Sequence, residues 1–83
     1  KFLIEKGADI NKSDNDGDTP LFIASQHRYL EIVKFLIEKG ADINKSNNNG
    51  ITTLYIASQE GHSEVVKFLI EKGADINKSN NGN

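Results

Sequence analysis

Three aspartates alternate at Asp14, Asp16 and Asp18, histidines stand at His27 and His62, and Asn-Lys-Ser triplets begin at Asn11, Asn44 and Asn77. In a chain without cysteine these are the residue types able to carry chemistry. Alternating carboxylates open a calcium loop when a glycine follows the third ligand and a bidentate glutamate closes the site. Here Gly17 precedes Asp18 and no glutamate follows at that spacing, so a solvated acidic loop is the better reading. The two histidines lack an i,i+4 partner, which argues against zinc. His62, after Gly61, reads as a turn residue, and His27 as a surface residue open to contact. Asn-Lys-Ser is the acceptor pattern for N-linked sugar, but an Asn placed this regularly is expected to bond backbone groups in a turn. Ser25, Ser58 and Ser63 have no adjacent His–Asp arrangement, and no glycine loop resembles a phosphate cradle. No catalytic residue, metal site or cofactor is assigned, and the chain reads as a non-enzyme.

The regularity of these residues follows from one stretch, KFLIEKGADINKS. It stands at Lys1–Ser13, Lys34–Ser46 and Lys67–Ser79 without a substitution, 33 residues apart each time. Between the copies lie Asp14–Val33 and Asn47–Val66, less alike but in register. A fixed period of this length is the mark of a tandem repeat array, in which each unit buries its apolar face on the next. The expected division is a partial repeat over 1–13, full repeats over 14–46 and 47–79, and the start of another at 80–83.

With 83 residues, 36% of them hydrophobic, the chain is near the lower size at which a core sustains itself. Its net charge of −2 offers no basic footprint for nucleic acid or anionic lipid. No run approaches the roughly 20 apolar residues of a membrane span, and the start is not a secretory signal. A cytoplasmic, or nuclear, location is expected.

The spacing predicts helices near 1–6, 20–27, 30–39, 53–60 and 63–72. Thr19 and Thr52 are suited to cap the short helices, with Pro20 in the first turn of one and Thr53 in its place in the other. The short helices are apolar on opposing sides, Leu21 and Ala24 on one and Ile23 on another, as in a helix sandwiched between neighbours. On the long helix Ile32, Val33, Leu36 and Ile37 form a stripe, with Glu31, Lys34 and Glu38 opposite. Lys34–Glu38 and Lys67–Glu71 are spaced for ion pairs. Phe35 falls at the stripe's edge, and Phe2, Phe35 and Phe68 are expected to form a ladder along the array. Gly61 suits a left-handed turn after the second short helix, whereas Arg28 in the equivalent place would be strained. Asp16-Gly17 and Asn49-Gly50 favour the tips of β-hairpins.

TPLFIA, TTLYIA, the Gly61-His62 turn, EIVKFLI, EVVKFLI and three copies of GADIN together resemble the ankyrin repeat. The resemblance covers essentially the whole chain. It implies a mainly α solenoid of stacked helix-turn-helix repeats with β-hairpin loops, binding other proteins through the loop tips and the inner short helices. Three departures stand out: Phe22 and Tyr55 where the family usually carries a loop-bonded histidine, Arg28 for the turn glycine, and terminal repeats without polar caps.

The function expected is a protein–protein interaction module. Its candidate partner-binding residues are Asn15, Asp16 and Asp18 on the first loop, Asn48, Asn49 and Ile51 on the second, and Gln26, His27, Gln59 and Glu60 on the inner helices. The rival reading is a structural spacer in a longer scaffold, suggested by the identity of the copies. Variation concentrated at Asp14–Asp18 against Asn47–Ile51, and at His27 against Glu60, favours binding. The apolar ends also point to self-association end to end.

Overall fold

The computed structural model describes residues 9–78. Four helices follow one another: α1 (Pro20–Gln26), α2 (Leu30–Glu38), α3 (Thr53–Gln59) and α4 (Ser63–Glu71). Each lies within a residue of its expected bounds. The expected helix near 1–6, and with it Phe2, is outside the described residues.

The short helices start where a threonine hydroxyl takes an otherwise unpartnered amide. Thr19 Oγ1 accepts from Phe22 N–H at 3.2 Å, and Thr52 Oγ1 from Tyr55 N–H at 3.1 Å. Pro20 occupies the first turn of α1, where its missing N–H costs nothing. The ends of all four helices close with one pattern, in which two successive amides reach back to the last turn. After α1 the pair is Arg28 N–H to Ser25 O and Tyr29 N–H to Ala24 O; after α3 it is Gly61 N–H to Ser58 O and His62 N–H to Ala57 O. This closure needs a left-handed residue, and Arg28 adopts it at φ 62° beside Gly61 at φ 75°. Arg28 thus holds the conformation disfavoured for a side chain.

Within a repeat α1 packs on α2 and α3 on α4; between repeats α1 packs on α3 and α2 on α4. The apolar stripe explains this layering. Leu21, Ala24, Val33, Leu36 and their equivalents Leu54, Ala57, Val65 and Leu69 form one buried cluster. Ile32 and Ile37 pack at its edge, while Glu31, Lys34 and Glu38 face solvent. Full burial of a Leu or Val is worth roughly 1.5–3 kcal/mol, so removing Leu36 or Leu69 would strike directly at the stack.

Two expectations fail on this packing. The aromatic ladder does not form between Phe35 and Phe68. Ring pairs need centroids 4.5–7 Å apart, whereas neighbouring helices stand 8–10 Å apart, too far for equivalent rings to meet. Phe68 instead lies along α2 beside Lys34, Ile37 and Glu38, with Lys34 Nζ 5.8 Å from its centroid and Lys72 Nζ 5.6 Å away. Lys34 therefore turns to the next repeat's ring rather than to Glu38, and Phe35 stays 42% exposed beneath Lys39 Nζ at 5.7 Å. The second failure is the β-hairpins: among the described residues there are turns and no strands.

Candidate protein-binding surface

The two loops, Asp14–Asp18 and Asn47–Ile51, are closed fingers of one design. Asp14 N–H donates to Asp18 O at 3.0 Å and Gly17 N–H to Asp14 O at 2.9 Å; Asn47 N–H to Ile51 O and Gly50 N–H to Asn47 O, both at 2.9 Å, repeat this. The first side chain of each finger holds the turn from inside. Asp14 Oδ1 accepts from Asp16 N–H and Asp18 N–H, and Asn47 Oδ1 from Asn49 N–H and Ile51 N–H. Short polar side chains that bond their own backbone make such turns without strand support.

The second finger is fastened to the first. Asn47 Nδ2 donates to Asp18 Oδ1 at 2.9 Å, Asn48 N–H to Asp16 O at 3.0 Å and Asn48 Nδ2 to Asn15 O at 3.0 Å. Gly17 lies against this junction: a Cβ there would stand 2.4 Å from Asn48 Oδ1 and 2.7 Å from Asn48 N. The ligand atoms of Asp14, Asp16 and Asp18 come within 4.8 Å of one another. Asp14 nonetheless spends Oδ1 on its own turn, and Asp18 spends Oδ1 on Asn47 of the second finger.

Behind the fingers the asparagines of the first two identical stretches, Asn11 and Asn44, also tie repeat to repeat. Asn11 Oδ1 accepts from Asp42 N–H and Asn44 Oδ1 from Asp75 N–H, both at 2.7 Å. Asn44 Nδ2 reaches Gly73 O at 3.4 Å. The amides at Asn11 and Asn44 are therefore engaged across the stack. At the outer turn His62 Nε2 lies 2.8 Å from Gln26 O, a third link between repeats.

The ten candidate residues thus separate by role. Asp16, Asn15 and Asn49 present exposed side chains at the fingertips, and His27, Gln59 and Glu60 are exposed past or at the helix ends. His27 stacks on Tyr29, centroids 5.7 Å apart at 25°. Asp18 and Ile51 are half-buried, and Asn48 is exposed but committed to the first finger. Gln26 is half-buried with its carbonyl at His62. Fingertips and helix-end residues stand at opposite ends of a seven-residue helix, about 10 Å apart at 1.5 Å per residue. They form two rows, with Tyr55, 40% exposed, on the helix between them. Tyr55 was not among the candidates; its signal was a large ring where the family's loop-bonding histidine usually stands.

The family model for ankyrin repeats, three copies, matches residues 1–80. The chain belongs to the ankyrin repeat family. Ankyrin repeats are generally protein–protein interaction modules and typically not enzymes. Among curated proteins nothing matches this ankyrin chain. Among the described residues no helix is long and apolar enough to cross a membrane.

Proposed function

We propose that this ankyrin array recognises a protein partner across its two fingertips and the C-terminal ends of α1 and α3. What supports the reading is the fastening of the fingers. With Asn47, Asn48 and Gly17 locking one to the other, the edge is preorganised, and a partner meets little ordering cost there. The exposed groups differ along it, acidic at Asp16 and neutral at Asn49, with Ile51 half-buried below. A fitting partner offers a basic group near Asp16 and an apolar one near Ile51. The spacer reading draws on the identical thirteen-residue stretches, which lie behind the fingers rather than on them.

The test begins with capture from lysate by the full chain and identification of what binds. Asp16→Lys is then expected to slow association about tenfold and flatten its salt dependence, since exposed charge acts chiefly on encounter. Ile51→Glu is expected to speed dissociation. Asp18 is left unchanged because it holds Asn47. A partner that binds undiminished to the double variant places recognition elsewhere, and the absence of any specific partner favours the spacer.

A further inference from the structure

At the tip of the second finger, Asn49-Gly50 sets a carboxamide beside a backbone nitrogen whose own residue has no Cβ. That nitrogen can approach the Asn49 Cγ with the least hindrance a peptide allows. Every other asparagine among the described residues precedes a residue with a side chain. Asn47 and Asn48 also have their amide groups bonded to the first finger. The Asn49 side chain is exposed. This exposure does not depend on what stands beyond the second finger. Asp16 holds the equivalent place in the first, and it is exposed with the second finger seated against it.

We propose that Asn49 is a site of spontaneous deamidation, gated by opening of the second finger. The Gly50 nitrogen, its proton lost to hydroxide, attacks Asn49 Cγ, and the side-chain nitrogen leaves as ammonia. The product is a cyclic succinimide. Water then adds to either ring carbonyl and breaks its bond to the Gly50 nitrogen. Opening at Cγ gives aspartate; opening at the main-chain carbonyl gives isoaspartate, in which the chain runs through the side-chain carboxyl carbon. In sum one water enters, one ammonia leaves and nothing is oxidised.

The closed finger restrains the nucleophile. Gly50 N–H donates to Asn47 O at 2.9 Å, and Asn47 Oδ1 accepts from Asn49 N–H and Ile51 N–H on either side. The Gly50 amide gives up its proton and turns onto Cγ only when these bonds open, so the rate follows the open fraction.

The two products treat the finger differently. Aspartate at this place copies Asp16, whose finger has the same closing bonds and Gly17 at φ 81° where Gly50 has 79°. The neutral tip becomes acidic and its turn stays. Isoaspartate instead inserts a methylene into the main chain before Gly50. Three bonds span that point: Gly50 N–H to Asn47 O, Ile51 N–H to Asn47 Oδ1, and Asn47 N–H to Ile51 O. They no longer close together, and because Asn47 also donates to Asp18, the junction of the fingers loosens with them. What this does to a partner rests on the recognition proposed above; the reaction itself does not.

The experiment follows the full chain in mildly alkaline buffer, with isoaspartate read by enzymatic methylation. Peptide mapping separates Asn49 from Asn81, which also precedes glycine. A synthetic peptide of residues 45–53 supplies the ungated rate, and hydrogen exchange of the Gly50 amide supplies the open fraction. Asn49 is expected to convert more slowly than the peptide by the protection factor of that amide, to within about threefold. Asn47→Ala, with helix content unchanged, should convert about tenfold faster than the parent, because the bonds it removes hold the finger shut by about that factor. The isoaspartyl form, once separated, should melt below the parent, while Asn49→Asp melts with it. An Asn49 left intact after the exchange-corrected time overturns the site, and a rate indifferent to Asn47→Ala overturns the gate. Should Asn47→Ala lose helix content, the comparison of conversion with exchange decides alone. An isoaspartyl form as stable as the parent overturns the loosening of the fingers. No readout uses a partner, so failure here is distinct from failure of the recognition surface.

Discussion

The equivalent segments 14–45 and 47–78 follow nearly the same backbone but carry different flaws. In the first, the turn after the short helix places Arg28 at φ 62°, where the second has Gly61 at φ 75°. In the second, Thr53 stands where the first has Pro20, and its hydroxyl is buried without a partner. The amide-to-carbonyl bonds closing the two turns are the same. The backbone is thus set by the packing of neighbours, and a misfit residue is carried along at a local cost. If so, each flaw should be separable from the fold and mendable from the other repeat's example.

The sharpest test contrasts two left-handed glycines, one crowded and one open. Gly17, at φ 81°, touches Asn48 of the next finger, while nothing lies within 4 Å of a Cβ at Gly61. Gly17→Ala is expected to cost about 3 kcal/mol, from the left-handed backbone and the displaced neighbouring finger together. Gly61→Ala should cost about 1 kcal/mol, from the backbone alone. Urea midpoints measured on dilute samples decide it; equal losses would mean that the finger contact contributes nothing.

Arg28→Gly is next, and its sign is opposite. Releasing a side chain from the left-handed region should stabilise by about 1 kcal/mol, and Gly61→Arg should cost about the same. If Arg28→Gly lowers the thermal midpoint, the arginine is making a contact worth more than its strain. The smallest effect is expected for Thr53→Pro. The first helical amide needs no partner, Thr52 already has the extended backbone that precedes proline at ψ 164°, and the orphaned hydroxyl is removed. A gain of about 0.5–1 kcal/mol should appear in the same urea curves, and a loss would show that the α1 face has no room for the ring.

The helices were legible in the sequence because their causes are local. Threonine caps, turn glycines and the stripe at 32, 33, 36 and 37 act within a few residues of where they stand. What the sequence left open depended on distances between repeats. Phe35 and Phe68 were expected to meet because they are equivalent, but equivalence places them a full helix spacing apart. Asn48 and Asp18 looked like free fingertip groups, and each is engaged by the neighbouring finger. Asp16, Asn49, Gln59 and Glu60 are exposed, and among the described residues no repeat-to-repeat bond claims their side chains.

The asparagine links have a consequence for length. Asn11 bonds the amide of Asp42, and Asn44 that of Asp75, so the two junctions among the described residues use the same pair of atoms 31 residues apart. Gain or loss of a whole repeat preserves this spacing, while a gain or loss of any other size breaks a junction. Removing Lys34–Val66 joins Val33 to Lys67 and restores EIVKFLI across the seam, so that Asp75 comes to the place of Asp42 opposite Asn11, while the contact of α1 with α3 is lost.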